Sequence, residues 1–478
     1  MINTIKNENV KWILCAFTDI RGIFQSFSTP AKNFIDNPRV FEVGIGFDGS
    51  SIRGFKEIHE SDMIFAPDPD AFYILPWTEG DQKTAVIIGN IKEPYGSNKI
   101  SDVDPRGYVA KRIFNEALSM GYTPYFGPEL EFFVFKSIDP TKLIYDLFAS
   151  PNGGAGDSWG PPRIFIESPD VNVGGYILRP KEAYFRNPPE DTTTEFRNDM
   201  ADALMELGFE IEMHHHEVAT FGQVEIDFKY GGLIETADRT QIYKLCARNI
   251  AKLHGLIATF MPKPLYLDNA SGMHVHTSLF KGDQNVFYDP DDDYAELSQD
   301  ARYFIGGLIE HAKALTAICC PTVNSYKRLV PGFEAPVNIM YSKRNRSALI
   351  RIPVYLKGPK YANRRRIEYR GVDPSTNPYF AYSAILAAGL DGIKKKSDPG
   401  DPVDVDVYEL NPEEKRKSGV DQLPTTLKDA LDYLSTDEVL KRALGSHLFD
   451  AFIEYKTNEW NQYCLYVTPW EIMKYLDY

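Results

Sequence analysis

The stretch Tyr125-Phe-Gly-Pro-Glu-Leu-Glu-Phe-Phe-Val-Phe135 is the part of the chain that decides its fold. Its residues alternate with a period of two, which is the side-chain period of a β-strand. Glu129 and Glu131 therefore lie on one face of the predicted strand, with Leu130 on the other. At about 3.3 Å per residue, their Cα atoms are about 6.6 Å apart. This spacing suits carboxylates that bind neighbouring metal ions, although the pair alone is also typical of a solvated polar face.

A second pair of glutamates flanks a predicted hairpin. Glu217 and Glu225 lie on either side of Thr220-Phe221-Gly222, which fits a three-residue loop with glycine in the left-handed conformation. Pairing about Phe221 would place Glu217 opposite Glu225. The preceding run His214-His215-His216 is compatible with metal ligation, but also with ordinary surface or core histidines.

Two further strands are predicted to offer polar side chains to one common face. They carry His274, His276 and Ser278 in the first, and Arg366, Glu368 and Arg370 in the second. A histidine pair of this spacing is also found in ordinary cores. Taken together with the four glutamates, the set favours a site for two to three divalent ions, and its oxygen-rich ligands favour magnesium or manganese over zinc.

A dense series of basic residues follows later in the chain. It comprises Lys327, Arg328, Arg344, Arg346, Arg351, Arg364, Arg365, Arg366 and Arg370. Arginine forks bind phosphate and carboxylate groups in a bidentate manner, while a solvated basic face is the alternative interpretation. Next to a metal cluster, the series indicates a metal-bound nucleotide together with an acidic second substrate.

The usual phosphate-binding motifs do not explain this chemistry. Gly44-Ile-Gly-Phe-Asp-Gly49 matches the spacing G-x-G-x-x-G, but no apolar helix pattern follows it, so the strand-turn-helix context is missing. The chain contains no G-x-x-x-x-G-K-[ST] motif, and His216-Glu217 is not continued to H-E-x-x-H. Phosphates are therefore not expected to be held by a P-loop.

Several of these segments resemble the signatures of type I glutamine synthetases, and they follow one another in the same order. They are Phe47 to Ser51, Gly127 to Phe133, His214 to Glu225, Asn269 to His276, Asn324 to Pro336, and Asn345 to Pro353. The resemblance extends from about residue 10 to the C-terminus. It implies that ATP phosphorylates the γ-carboxylate of glutamate and that ammonia displaces phosphate from the γ-glutamyl phosphate, giving glutamine, ADP and phosphate.

The resemblance also implies an α+β fold of the glutamine synthetase and guanido kinase kind. A small N-terminal β-grasp domain would precede a large catalytic domain with a curved antiparallel sheet flanked by helices. The sequence itself marks a boundary, because Asp104 as N-cap and Pro105 at the first helical position begin a helix that ends at Gly121. We expect domains at 1–104 and 105–478, short strands over residues 10–91, and helices at about 192–207, 235–260, 296–320 and 376–395.

The family pattern assigns roles to individual residues of the large domain. One metal site would be Glu131, Glu217 and Glu225, and the other Glu129, His274 and Glu368. Arg346 and Arg370 resemble the groups that stabilise the phosphoryl group and the acyl phosphate, and Arg328 would hold a substrate carboxylate. The nucleotide contacts would be His276, Ser278, Arg351 and Arg366, and the glutamate pocket would include Asn269 and Gly272.

The second half-reaction requires a negative pocket, because ammonium has no lone pair and must lose a proton before it attacks. In the family this pocket combines an aspartate, a tyrosine, a glutamate on a flap and a nearby serine. The matching residues are Asp48, Tyr184, Glu334 and Ser51. Their presence favours ammonia over two alternatives, namely a relative that ligates glutamate to polyamines or other amines, and a catalytically silent regulatory scaffold.

Composition restricts the partners and the compartment. A formal net charge of −15 over 478 residues argues against nucleic acid or an anionic membrane as a partner. Five cysteines, an odd number, suit a reducing compartment. Because the N-terminus is polar and no apolar run approaches membrane-spanning length, we expect a cytoplasmic protein.

Assembly and regulation are predicted from the resemblance. Asp48 lies in the expected small domain and the metal ligands in the other, and family sites form between subunits of a dodecamer. A nitrogen-regulatory protein is a further expected partner.

Tyr408 occupies the position that some members adenylylate, but its surroundings resemble those of the unmodified subtype. Ala270 replaces a common glycine in the glutamate pocket, and residues 138–182, the least family-like, are expected to form a surface loop or a regulatory segment.

Overall fold

A computed structural model describes residues 1–56, 58–94, 98–144, 163–167, 178–179, 181–220, 222–332, 335–343, 345, 347–354, 356–404 and 420–478. The strands are β1 Trp12–Thr18, β2 Phe24–Pro30, β3 Ile45–Asp48, β4 Asp62–Ile74, β5 Thr84–Lys92, β6 Thr123–Phe135, β7 Ser137–Ile144, β8 Arg163–Glu167, β9 Ile211–His216, β10 Gln223–Phe228, β11 Gly231–Gly232, β12 Ile257–Thr259, β13 Met273–Lys281, β14 Gln284–Asn285, β15 Asn338–Ser342, β16 Ala348–Arg351, β17 Ile367–Tyr369 and β18 Asp421–Gln422. The helices are α1 Ile2–Asn7, α2 Ala31–Asp36, α3 Val40–Val43, α4 Lys111–Ser119, α5 Thr194–Glu206, α6 Leu233–Leu253, α7 Gln299–Glu310, α8 Ala312–Cys319, α9 Ser325–Arg328, α10 Pro378–Lys395, α11 Leu427–Ser435, α12 Glu438–Leu444, α13 Ser446–Leu465 and α14 Pro469–Tyr475.

The first five strands form a small sheet in the order β2-β1-β5-β4-β3. β1 and β5 are parallel, whereas the other neighbours are antiparallel. Ile13, Phe65 and Ile87 of this sheet are fully buried and pack in one cluster with Phe34 of α2. The predicted strands over residues 10–91 are confirmed, and the arrangement is that of a β-grasp sheet closed by a helix.

A second, larger sheet contains the predicted ligand strands. Within the described residues its main order is β18-β15-β16-β17-β13-β6-β10-β9, with β11 and β12 also pairing with β6 and β14 with β13. The pair β15 and β16 is parallel, so the expected antiparallel sheet is mixed at this edge. β6 lies at the centre, between β13 and β10, and therefore brings the ligand-bearing segments together.

β6 has the predicted two-faced pattern. Leu130 and Phe132 belong to the main core, where the Phe132 ring is 6.0 Å from that of Tyr243 on α6. On the opposite face, Glu129 and Glu131 are only partly buried. The alternation is thus confirmed, and both carboxylates project to the side of the sheet that faces away from α6.

The helices largely follow the sequence prediction. Asp104 caps the first of them, because its side chain accepts a hydrogen bond from the Arg106 amide at 2.9 Å; the first turn, Pro105–Ala110, is π-helical and α4 continues it. The helix predicted at 235–260 ends earlier, at Leu253, and that predicted at 296–320 is interrupted at His311. In the part of the chain that the structure describes, no helix combines the length and the hydropathy needed to cross a membrane.

A buried arginine joins the small sheet to the large domain. Arg106 donates to both oxygens of Asp238 on α6, at 2.9 Å and 3.1 Å from Nε, and to Asp68 and Asn90 of the small sheet at 2.7 Å and 2.9 Å. Tyr379 donates to the same Asp238 at 2.6 Å. Since a guanidinium has five N–H donors in fixed directions, this contact orients the small sheet on the large domain.

The interruption at His311 marks a second buried charge cluster. The imidazole lies between Asp437, which is 2.6 Å from Nδ1, and Asp391, which is 3.1 Å from Nε2. Lys395 is 2.7 Å from Asp391 and 2.8 Å from Glu310. Burial acts to lower the pKa of His311, but the two carboxylates outweigh it and raise the pKa above its ordinary value. The imidazolium therefore ties α7 and α8 to α10 and α12.

We expect this cluster to make stability depend on pH. A folded-state pKa above the unfolded value stabilises the protein fully below about pH 6.5, and the stabilisation is lost as the pH rises through the folded-state pKa. At pH 6.5, His311→Gln should lower the free energy of unfolding by about 3 kcal/mol, because it removes the charge between two carboxylates. Between pH 6 and 9, the melting temperature of the variant should fall less steeply than that of the unaltered protein.

His254 provides the matched control, because its Nε2 lies 2.9 Å from Asp199 with a quarter of its side chain exposed. His254→Gln should change stability by less than about 1 kcal/mol. If the melting temperatures of His311→Gln and the unaltered protein fell equally with rising pH, the stabilising role of the His311 imidazolium would be contradicted.

Candidate active site

The predicted ligands meet in one cavity of about 480 Å³ on the open face of the large sheet. Its lining includes all six residues of the two expected metal sites: Glu129, Glu131, Glu217, Glu225, His274 and Glu368. They come from β6, the β9–β10 connection, β10, β13 and β17. Residues distant in sequence thus converge because β6, β10, β13 and β17 are neighbours in the sheet.

Three of these side chains form a compact group. His274 pairs directly with Glu129 across β13 and β6, and its Nδ1 is 3.3 Å from Glu129 Oε2 and 3.7 Å from Glu368 Oε1. One ligand atom from each residue lies within 4.8 Å of the others. Two carboxylates and an imidazole at this spacing can bind one divalent cation.

The second group surrounds Glu131. Glu225 pairs directly with Glu131 across β10 and β6. Glu131 Oε2 accepts hydrogen bonds from the Gly272 amide at 2.9 Å and from Gln223 at 3.0 Å. Glu217 lines the same cavity from the loop that follows β9. Like charges directly opposite each other in a sheet are unfavourable, so this arrangement calls for a cation.

The predicted hairpin register is wrong. Glu217 lies opposite Gln223, to whose carbonyl its amide donates at 2.8 Å, and Glu225 lies opposite His215. The connection has six residues, 217–222, instead of three, although Gly222 has the predicted left-handed conformation with φ +74°. The loop is longer than predicted because the Val218 amide donates to the side chain of Glu217 at 2.9 Å, so this residue belongs to the loop and not to the strand ladder.

The carboxylates of the cavity differ in their protonation behaviour. Burial and the charge of Asp227 raise the pKa of Glu225 well above its ordinary value, and burial with the charge of Glu129 raises that of Asp227 to about 7. For Glu368, burial raises the pKa but Arg370 outweighs it and lowers the pKa to about 2. For Glu129, burial is outweighed by His276 and the pKa is lowered well below its usual range.

Asp227 is a cavity residue that the sequence interpretation missed. His215, Glu225 and Asp227 each offer a ligand atom within 4.8 Å of the others. Of the three successive histidines only His215 lines the cavity; His214 bonds to Arg197 at 3.2 Å and His216 is fully buried. Asp227 lies two residues after Glu225 on the same strand face, so the alternation applied to β6 finds it when it is applied to β10.

Gln223 is a second missed residue. Its side chain is buried, donates to Glu131 at 3.0 Å and to the Ala270 carbonyl at 3.2 Å, and accepts from the Ala219 amide at 3.1 Å. One amide group thus joins a metal-ligand candidate, the loop before β13 and the β9–β10 connection. Residues that hold a metal ligand in place contribute to metal affinity.

We expect Gln223→Ala to weaken Mn²⁺ binding about tenfold, because Glu131 loses a donor that fixes its carboxylate. Titration calorimetry with Mn²⁺ measures this directly. Gln241→Ala is the matched control, since Gln241 is equally buried but bonds to Thr18 at 2.9 Å at the small sheet. An unchanged dissociation constant for Gln223→Ala would contradict the role of Gln223.

The arginines divide into two groups. Arg370 and Arg351 line the cavity and bind the two oxygens of Glu368 at 2.5 Å and 2.7 Å. Arg328 also lines it, and its buried Nη1 has no hydrogen-bond partner among the described residues. By contrast, Arg365 is buried against Glu296 at 2.5 Å, so the expected clamp does not use every arginine of the 364–366 run.

The remaining predicted contacts divide into three residues that line the cavity and three that do not. His276 Nε2 is 2.7 Å from Glu129, and Arg366 donates to His276 at 3.0 Å. Ser278 lies two residues after His276 on the same face of β13, opposite Tyr125 of β6. The other three, Tyr184, Asn269 and Gly272, line the cavity.

Gly272 leaves room for two of the cavity side chains. A Cβ at this position would lie 2.8 Å from Arg328 Nη2 and 2.9 Å from His274 Nε2. A larger residue would therefore displace the ends of both side chains from their positions in the cavity.

Two further predicted residues, Asp48 and Ser51, also lie outside this cavity. Asp48 is exposed at the end of β3, where the Ser50 amide at 2.8 Å and hydroxyl at 2.7 Å bond to its Oδ1 and lower its pKa. Ser51 lines a different cavity, of about 790 Å³, against α13. Glu334, Arg346 and Tyr408 lie outside the described residues.

Clustered carboxylates with an imidazole, beside arginines on an open sheet, define a metal-dependent enzyme that acts on phosphate-bearing substrates. The family model for the catalytic domain of glutamine synthetase matches residues 102–475. The model for the glutamine synthetase beta-Grasp domain matches residues 9–94. The chain belongs to the glutamine synthetase family.

Individual relatives agree with this assignment. A glutamine synthetase of Archaeoglobus fulgidus is 60% identical over 478 residues, covering 99% of this chain and 96% of the relative. One from Thermotoga maritima is 44% identical over 472 residues, covering 99% and 98%. Among solved structures, GmaS with ADP is 31% identical with a TM-score of 0.82, covering 100% of this chain and 99% of that one. Plasmodium falciparum glutamine synthetase is 27% identical with a TM-score of 0.83, covering 99% and 98%.

The match extends over the whole chain and includes both family domains. The chain is therefore an enzyme, a glutamate–ammonia ligase that uses ATP and divalent metal ions to form glutamine. The curated relatives named glutamine synthetase, which reach 60% identity, favour ammonia over a polyamine or another amine as the acceptor.

Proposed function

We propose that the cavity on the large sheet is where ATP phosphorylates glutamate and where ammonia attacks the resulting γ-glutamyl phosphate. The observation that carries this proposal is the convergence of Glu129, His274 and Glu368 within 4.8 Å, next to Arg370. Cations and guanidinium groups side by side can neutralise a transferring phosphoryl group.

The donor set fits magnesium or manganese, two to three ions per site. Glu129, His274 and Glu368 would hold one ion, and Glu131, Glu217 and Glu225 another. The raised pKa of Glu225 supports this fit, because carboxylates that repel one another need a cation to be fully ionised together. Such ions, when bound, neutralise phosphate charge and polarise the group under attack.

The protein's own groups would bind and orient the substrates. Arg328, with Asn269 and Gly272, would hold glutamate, and its unpartnered Nη1 supports a carboxylate ligand there. Arg370 and Arg346 would stabilise the phosphoryl group and the acyl phosphate. The nucleotide would contact four residues, namely His276, Ser278, Arg351 and Arg366.

The ammonium pocket would combine residues from two chains. Asp48 and Ser51 would come from one subunit, and Tyr184 with the flap residue Glu334 from its neighbour, where they attract ammonium and accept its proton. The pKa of Asp48, lowered by its bonds to Ser50, supports an ionised carboxylate. The position of Asp48 outside the cavity of its own chain supports an oligomer.

We further propose that residues 1–104 and 105–478 are the two domains and that the assembly is a cytoplasmic dodecamer. A nitrogen-regulatory protein is the proposed partner. The net charge of −15 supports the exclusion of nucleic acid.

Phosphate release from glutamate and ATP tests the proposed reaction. With Mg²⁺, ammonium should support release at least about 100-fold faster than methylamine or spermidine, and EDTA should abolish it. Equilibrium dialysis should find about two to three Mn²⁺ ions per chain. Faster release with spermidine would indicate a polyamine ligase, no release with any of the three amines would indicate a silent scaffold, and fewer than two ions would contradict the metal proposal.

A further inference from the structure

A histidine outside the cavity contacts the loop that follows β3. His447 lies in the first turn of α13, and its Nε2 is 3.0 Å from the Gly54 carbonyl and 3.1 Å from the Phe55 carbonyl. Carbonyl oxygens only accept hydrogen bonds, so this ring nitrogen carries a proton and donates it to both. α13 belongs to the large domain, whereas the loop belongs to the small sheet. The contact thus joins the two parts of the chain.

The opposite side of the same loop is fixed by the small sheet. Phe55 is buried there, with its ring 5.7 Å from that of Phe17. Gly54 has φ +78°, and a Cβ added to it would lie 2.8 Å from the side chain of Ile20. The backbone at 54–55 is therefore held between the core of the small sheet and the imidazole of His447.

Short hydrogen-bonded turns connect this point to Asp48. The Phe55 amide donates to the Ile52 carbonyl at 3.1 Å, and the Ile52 amide donates to Gly49 at 3.0 Å. The Gly49 amide donates to Ser61 at 2.7 Å, and Ser50 bonds to Asp48. Because successive turns leave little freedom between residues 48 and 55, a displacement at Gly54 changes the position of Ser51 and Asp48.

We propose that His447 is a positioning residue for ammonium binding. Its Nε2–H fixes the loop 48–56 against α13 and so sets where Asp48 and Ser51 are presented to the neighbouring subunit. This inference rests on the proposed role of Asp48 in the ammonium pocket. His447 itself touches neither substrate nor metal; it acts through the loop.

Steady-state kinetics of the assembled enzyme test this role. His447→Ala should raise the KM for ammonium about tenfold, the effect of losing one hydrogen bond of ordinary strength. The KM values for glutamate and ATP should change less than about twofold, because Asp48 and Ser51 are proposed to contact ammonium and not the other two substrates. His447→Gln, which keeps an N–H donor, should return the ammonium KM to within about threefold of the unaltered enzyme.

Asp450→Asn is the matched control, since Asp450 lies on the same helix and lines the same second cavity. It should leave all three KM values unchanged, and light scattering should give one assembly size for every variant. An unchanged ammonium KM in His447→Ala, or an equal rise in all three KM values without rescue by glutamine, would overturn the inference.

Asp48→Ala separates this inference from the proposal on which it rests. If Asp48→Ala raises the ammonium KM and His447→Ala does not, only the positioning role fails. If Asp48→Ala leaves the ammonium KM unchanged, the ammonium pocket itself is wrong and the inference falls with it.

Discussion

Glu368→Gln should lower kcat/KM by about 10³-fold, because it removes a carboxylate that we propose as a metal ligand, and the cation held there would stabilise the phosphoryl group by several kcal/mol. The side chain is fully buried and ion-paired with Arg370 at 2.5 Å and Arg351 at 2.7 Å. Removing its charge takes from both guanidinium groups the buried carboxylate that they share. We therefore also expect a loss of about 3 kcal/mol in the free energy of unfolding.

The pH dependence of this effect has a definite sign. Since the folded-state pKa of Glu368 is lowered to about 2, its ionised form stabilises the protein above the ordinary glutamate pKa of about 4.3. That stabilisation is lost as the pH falls from about 4.3 to 2. Denaturation monitored by circular dichroism should show a larger loss over this range in the unaltered protein than in Glu368→Gln, where Asp191, whose pKa is also lowered to about 2, still contributes.

Glu296→Gln controls for the loss of a buried ion pair. Glu296 binds Arg365 at 2.5 Å and does not line the cavity. It should destabilise the protein by a comparable amount and leave kcat/KM within about threefold. If Glu368→Gln retained more than about a tenth of the activity, Glu368 would not be a metal ligand.

Mixed oligomers of two inactive variants should recover about a quarter of the unaltered activity. One variant is Asp48→Ala, assayed at ammonium concentrations below KM, and the other is Glu129→Gln. In a random assembly, half of the sites have an intact Glu129, and half of those receive an intact Asp48 from the neighbour. Co-expression with two affinity tags and sequential purification gives the mixed enzyme.

This result distinguishes sites shared between chains from sites contained in one chain. If Asp48 served the cavity of its own chain, every site would carry one of the two lesions and no activity would return. Each variant alone, co-expressed with itself under both tags, is the control and should remain inactive under the same conditions.

Sequence periodicity predicted the parts of the site that depend on local strand geometry. Glu129 and Glu131 share a face because alternation is a property of any extended strand, and the same holds for His274 and His276. Asp104 was recognised as a helix start because its cap uses only neighbouring residues. The resemblance supplied the grouping of distant ligands into two metal sites, which periodicity does not contain.

The failures have equally local causes. The β9–β10 connection was predicted too short, because the Glu217 and Gln223 side chains bond to the amides of Val218 and Ala219, and propensities do not report such contacts. The helix α6 was predicted too long because apolar spacing continues past its end into β12. Gly255, with φ +67°, is the stop signal that was passed over.

The register of β13 on β6 has a consequence for how the enzyme tolerates change. His274 pairs with Glu129 and His276 with Gly127, so the backbone ladder alone sets the distance between these ligands. Segments that join the strands can gain or lose residues without moving them. A one-residue shift of the whole strand Met273–Lys281 along β6, in contrast, would turn both imidazoles toward the core and remove them from the site together.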